Sequence, residues 1–159
     1  MVTHSPAQTR LLGEALAAQL APGDVVILDG NLGAGKSELT RGIARGLGID
    51  GPIPSPSFTI LNVYEDGRVP LYHFDWYRLE SPEELYELGM DEYLGGDGIA
   101  VVEWAERCPQ AVPDERLEIR LAPLPGEEDG REITLDFKGG FREIRINDKE
   151  TIEDATAGD

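Results

Sequence analysis

The chain has 159 residues, enough for one domain with a sizeable buried core. Acidic residues outnumber basic ones 31 to 14, and the formal charge of −17 repels polyanions at long range, which argues against direct, strong binding to nucleic acid. A single cysteine, Cys108, excludes an internal disulfide. With no charged-then-apolar leader and no apolar run of membrane-spanning length, a soluble cytoplasmic protein is expected.

Ser5-Pro6-Ala7-Gln8 has the form of a capping box with proline at the first helical position. Leu11, Leu12, Ala15, Leu16 and Leu20 then share one helical face until Pro22-Gly23 ends it. Val25 to Leu28 is an apolar run bounded by breakers, as in a strand covered on both faces. After Lys36, the residues Leu39, Ile43 and Leu47 form a second helical stripe, capped by Gly48. Gly51 to Ser57 is too rich in proline for helix or central strand and is expected to be an ordered or switchable loop.

Phe58 to Tyr64 and Val69 to Tyr77 are predicted strands, with Asp66-Gly67 as the hairpin signal between them. Ser81-Pro82-Glu83-Glu84 repeats the capping-box pattern before a short helix that buries Leu85, Leu88 and Tyr93. Ile99 to Val102 is a second covered strand. Arg116 to Leu121, Arg131 to Phe137 and Phe141 to Ile146 alternate polar with apolar and are expected as half-exposed strands. From Asn147 onward five acids face one lysine, so residues 147–159 are expected to be a disordered acidic tail behind a domain of residues 1–146. The fold class expected is α/β: a mixed central sheet with an antiparallel hairpin, flanked by helices.

Between the first covered strand and the second helix lies Gly30-Asn31-Leu32-Gly33-Ala34-Gly35-Lys36-Ser37, the Walker A pattern G-x-x-x-x-G-K-S in its required strand-to-helix context. The glycines at 30, 33 and 35 permit backbone angles that side chains forbid, so that successive N–H groups turn inward around phosphate oxygens. The following helix adds its positive end. Lys36 reaches the outer phosphates, and the Ser37 hydroxyl is a hard ligand suited to Mg²⁺. The segment Asn31 to Glu38 is therefore the expected nucleotide cradle of a P-loop NTPase domain.

Hydrolysis further requires a carboxylate near the metal and a group that positions water. Two acids on strands compete. Glu103 ends the run Ile99 to Val102, where a Walker B carboxylate is presented. Asp75 interrupts His73-Phe74-Asp75-Trp76-Tyr77, either as a second acid for metal or water or as a solvated residue of an edge strand.

Taken with Ser55-Pro56-Ser57-Phe58-Thr59, His73 to Leu79 and Val102-Glu103-Trp104, the glycine-rich segment makes the chain resemble the bacterial TsaE (formerly YjeE) family over Thr9 to about Arg131. The resemblance implies an ATPase with ATP and Mg²⁺ as its ligands. It would act with the TsaD–TsaB pair in threonylcarbamoyladenosine (t6A) modification of tRNA, touching tRNA only indirectly. It also implies that Lys36 and Ser37 serve phosphates and Mg²⁺, Glu103 the metal, and Asp75 as an essential acid. Ser55, Ser57 and Thr59 would form a switch. Trp104 reads either as a contact to the base or a partner or as a core aromatic. Thr9 and Arg131 lie where relatives approach the nucleotide. Ala105 stands where the family commonly has proline, and Ser37 and Ser57 where it often has threonine.

The remaining side chains have plainer readings. His73 reads as a structural histidine, Cys108 as inert, and Arg41 with Arg45 as a solvated stripe. Arg78 is a charge-stabiliser candidate that no sequence feature aims at the phosphates. A small-metabolite kinase shares the same loop, and a nucleotide-gated binding module would need no chemistry at all. The guanine-specifying Asn-Lys-x-Asp is absent from the sequence.

Overall fold

A computed structural model describes residues 1–31 and 33–147. Its helices begin where sequence chemistry supplies a start. Ser5 caps α1 (Pro6–Ala17) by accepting from the Gln8 N–H at 3.1 Å, and the Gln8 side-chain oxygen reaches back to the His4 N–H at 2.7 Å. That returning bond goes one residue further out than in the standard box. Helix α2 (Lys36–Gly46) starts at Gly35, whose φ of 102° only glycine adopts readily. Gly48, with φ of 82°, turns the chain out of it.

The strands β1 (Val2–Thr3), β2 (Val25–Asp29), β3 (Leu61–Tyr64), β4 (Leu71–Asp75), β5 (Ile99–Glu103), β6 (Arg116–Pro123) and β7 (Arg131–Lys138) build one seven-stranded sheet in the order β1-β7-β6-β2-β5-β4-β3. The inner four, β6-β2-β5-β4, run parallel, and antiparallel neighbours flank them on both sides. The apolar runs at Val25 and Ile99 lie in the middle because both of their faces are covered. One core packs α1 and α2 onto Leu28, Leu71, Val101 and Ile119. The other packs α3 (Glu83–Glu87) and the turns after β5 onto Ile27, Phe74, Trp76 and Val102. Helices α1 and α2 approach backbone to backbone: a methyl group on Gly42 would lie 2.0 Å from the Arg10 carbonyl oxygen. The described residues thus form a single mixed α/β domain with three α-helices.

Several elements depart from the expectations. Strand β1 was not foreseen; at two residues it carries no periodicity, and it exists because it pairs with Glu132 and Arg131 of β7. Strand β3 starts at Leu61 rather than at Phe58, since Ile60 takes a left-handed φ of 68° that breaks the extended run. Strand β4 is confined to Leu71–Asp75. The helix after Ser81 is not capped by the serine side chain; the Glu84 carboxylate instead accepts from the Glu80 N–H at 3.3 Å. Leu88 is exposed rather than buried.

Residues 141–146 form no strand. Phe141 and Ile144 are buried three residues apart, and Arg142 ties the segment to Asp24 and the Gln19 carbonyl, so side-chain burial replaces ladder pairing. The expected tail lies, beyond Asn147, outside the described residues. Among the described residues no helix is long and apolar enough to cross a membrane.

Candidate active site

Parallel pairing in the order β2-β5-β4 brings three strand ends together. Leu28 is in register with Glu103, and Glu103 with Asp75, so the loop leaving β2 and the two acids share the carboxyl edge of the sheet. Parity sets which way they face. Positions 71, 73 and 75 of β4 and 99, 101 and 103 of β5 alternate toward one side. Leu71, Ile99 and Val101 on that side pack under α1 and α2. Asp75 and Glu103 therefore stand beside the start of α2.

There a cleft of about 620 Å³ is lined by Gly33, Gly35, Lys36, Ser37, Glu38, Ser55, Ser57, Asp75, Glu103, Trp104 and Arg131, with Tyr77 and Arg78 at its side. Gly33 and Gly35 hold φ of 82° and 102°, as a phosphate-binding turn requires. Gly30 is glycine for another reason than the one expected, because it has no positive φ: a Cβ there would lie 2.7 Å from the Leu121 carbonyl oxygen. At the helix start Gly35 offers no side-chain cap, and the N–H groups of Ser37 and Glu38 find no acceptor among the described residues.

The charges in the cleft are buried and coupled. Lys36 is 7% exposed; its ammonium lies 3.9 Å from Glu103 Oε1 and 4.5 Å from the centre of the Trp104 ring. The other oxygen of Glu103 meets His73 Nε2 at 2.7 Å, and His73 is 2% exposed. His73 keeps the structural reading, with a partner that sequence reading missed: it pins the Glu103 carboxylate. The signal was available in its two-residue offset from Asp75, which puts both on the cleft side of β4.

Asp75 is 5% exposed on an interior strand, so the solvated-edge reading does not hold. Its Oδ1 accepts from the Tyr77 N–H at 2.9 Å. Burial pushes the Asp75 carboxyl up from the usual carboxylate range. The Tyr77 N–H opposes this, the Glu103 charge adds to it, and His73 and Lys36 pull it down. A raised value means that the fold holds this proton more tightly than the unfolded chain does. Its contribution to stability is full below the ordinary carboxylate pKa and is lost as pH rises through the folded-state value. Asp75→Asn is expected to raise the thermal midpoint at neutral pH, with the gain shrinking toward acid. Thermal melts across that pH range check it, and a midpoint below that of the parent at neutral pH contradicts it.

The other candidates fall as follows. Trp104 adopts φ of 58° at the end of β5, packs against Tyr77 with ring centres 4.9 Å apart, and passes into a short turn begun by the buried Ala105. Arg131 straps the glycine-rich loop to the β6–β7 turn: its guanidinium donates to the carbonyls of Gly33 at 3.0 Å, Glu128 at 2.9 Å and Gly130 at 2.7 Å. Its buried Nε has no partner among the described residues. Glu38 is shared by Arg10 and Arg41, each at 2.7 Å.

Four of the described candidates stand apart from the lining. Thr9 is buried with its hydroxyl bonded to Thr3 Oγ1 and the Ser5 carbonyl. Asn31 is exposed and accepts from the Ala34 N–H, while Ala34 itself sits in the core beneath the loop. Thr59 donates to Asn62 at 2.8 Å instead of facing the cleft. Leu32 lies outside the described residues.

The family model described as "Threonylcarbamoyl adenosine biosynthesis protein TsaE" matches residues 3–133. The tRNA threonylcarbamoyladenosine biosynthesis protein TsaE of Bacillus subtilis (strain 168) is 44% identical over 142 residues, covering 89% of this chain and 87% of that protein. The protein of the same name from Treponema pallidum (strain Nichols) is 42% identical over 134 residues, covering 84% and 97%. The crystal structure of Bacillus subtilis YdiB aligns with a TM-score of 0.76 at 42% identity, over 87% of this chain and 84% of that one. Family model, full-length relatives and fold agree, and the chain belongs to the TsaE family.

Proposed function

We propose that this chain is a P-loop ATPase, dependent on Mg²⁺, that supports the TsaD–TsaB pair in threonylcarbamoyladenosine modification of tRNA. The observation that carries the reading is the meeting of Gly33, Gly35, Lys36 and Ser37 with Asp75 and Glu103 in one cleft. The names of the relatives place those proteins in the same modification. The same reading puts the chain in the cytoplasm and leaves tRNA to its partners, in keeping with a charge of −17.

The residues suit the ligands. Two free N–H groups at a helix start, a buried ammonium and a left-handed glycine turn fit a polyphosphate. Among the described residues no three His, Cys, Asp or Glu side chains are grouped to hold a cation alone. Mg²⁺ accordingly fits as an ion shared between phosphates, the Ser37 hydroxyl and the acids, which is its usual mode beside nucleotides. When bound it would neutralise charge on the phosphates.

The chain supplies the rest. Lys36 leaves the Trp104 face for the outer phosphate oxygens. Glu103, fixed at Oε2 by His73, keeps Oε1 turned into the cleft toward Lys36. Asp75, held by the Tyr77 N–H and raised by burial, is suited to accept a proton from water. Ser55 and Ser57 close one wall. Adding TsaD–TsaB is expected to raise ATP turnover by this chain and to sustain repeated rounds of t6A formation. A pair whose output is the same with and without the chain and ATP would refute the reading.

A further inference from the structure

Arg78 differs from the other arginines around the cleft. Arg10 and Arg41 share the Glu38 carboxylate, and both terminal nitrogens of Arg131 donate to carbonyl groups. Arg78 lines the same cleft as Lys36 and Ser37, yet among the described residues it has no carboxylate or carbonyl partner. Its guanidinium rests on the Phe58 ring, 4.3 Å from the centre. Phe58 is 81% exposed, a large ring held out of both cores.

The anchoring is asymmetric. The backbone below Arg78 is fixed, since the buried Trp76 donates its N–H to the Glu103 carbonyl at 3.1 Å and the Leu79 N–H returns to the Trp76 carbonyl at 3.1 Å. The guanidinium itself is held only by an exposed stack, a weak interaction compared with charge-assisted bonds to a phosphate. Phe58 belongs to the segment carrying Ser55 and Ser57, and that segment ends at Ile60, whose left-handed φ of 68° is strained for a β-branched residue. The loop that forms one wall of the cleft therefore also holds, among the described residues, the one lining guanidinium whose terminal nitrogens have no hydrogen-bond partner.

We infer that Arg78 is a catalytic residue of this chain, the cation that neutralises charge developing on the transferred phosphoryl group, parked on Phe58 until nucleotide draws it inward. The inference rests on the ATPase reading above. In the step concerned, a water oxygen bonds to the γ-phosphorus while the bond from that phosphorus to the β,γ-bridging oxygen breaks. The electron pair of the broken bond leaves with ADP. One proton of the water passes out through Asp75, and the other remains on the released phosphate. The Arg78 N–H groups donate to the oxygens on which charge grows, which is worth most in the transition state.

The test compares Arg78→Ala, Arg78→Lys and Lys36→Ala with the parent for equilibrium binding of Mg-ATP and of ADP with aluminium fluoride, on the full chain alone and with TsaD–TsaB. Arg78→Ala is expected to weaken the aluminium fluoride complex by about a hundredfold while changing ATP affinity by less than about threefold. Arg78→Lys is expected to fall between parent and alanine, because it keeps the charge without the two-pronged geometry. Equal retention of both ligands by Arg78→Ala overturns the inference, as does an equal loss of both, which would make Arg78 a ground-state contact. A parent chain that binds neither ligand overturns the ATPase reading itself, a result distinct from either of these.

Discussion

Glu103→Gln is expected to leave ATP bound while lowering its turnover by about a hundred- to a thousandfold, the range seen when one oriented electrostatic contact to a transition state is removed. The substitution is nearly isosteric. A glutamine oxygen can still accept from His73, but the negative charge that faces Lys36 across 3.9 Å is gone. What is lost is the anionic oxygen suited to Mg²⁺, in a pocket where Glu103 is only 6% exposed and its charge is little screened. Quenched-flow cleavage of labelled ATP with TsaD–TsaB present, alongside a binding isotherm, separates the two effects. A nucleotide-gated module without chemistry predicts that t6A formation continues normally in this variant, and that outcome would discard the enzymatic reading.

Lys36→Ala is expected to raise the Kd for Mg-ATP by about a hundredfold or more, because a charge-assisted contact to the phosphates disappears from a desolvated site. The lysine has little freedom to be replaced. Its ammonium is enclosed by Glu103 and the Trp104 ring, and Arg131 is already spent on loop carbonyls. The same change leaves Glu103 with the His73 ring as its one remaining side-chain partner among the described residues. Equilibrium binding of a fluorescent ATP analogue checks the prediction; affinity within a few-fold of the parent would mean that the loop does not hold the triphosphate. Together the two variants divide the site into binding and chemistry.

Much of this site was legible from residue order, for physical reasons. The apolar runs at Val25 and Ile99 announce doubly covered strands, and a loop rich in glycine followed by a helical stripe needs no tertiary information to be read. Strand order is another matter. That β2 and β4 both border β5 is what sets Asp75 beside Glu103, and it follows from packing that no local pattern encodes. The same holds for the clasp of His73 on Glu103 and for the strap of Arg131 over Gly33, which join residues 30 and 98 positions apart. Phe58 shows the opposite failure. An aromatic next to Thr59 and Ile60 has strong strand propensity, yet the left-handed turn at Ile60 and the pull of the cleft loop place it in solvent. Thr9 sits on the first helix as expected, but its hydroxyl is consumed by Thr3 of a strand too short to be seen beforehand.

The central claim is that the cup formed by Gly30 through Ser37 holds a nucleoside triphosphate with its divalent ion. Isothermal titration of Mg-ATP into folded chain measures this directly. One site near unit stoichiometry is expected, with the heat strongly reduced in Lys36→Ala and weaker when EDTA replaces Mg²⁺. A flat thermogram from folded parent chain, both alone and mixed with TsaD–TsaB, would contradict the account.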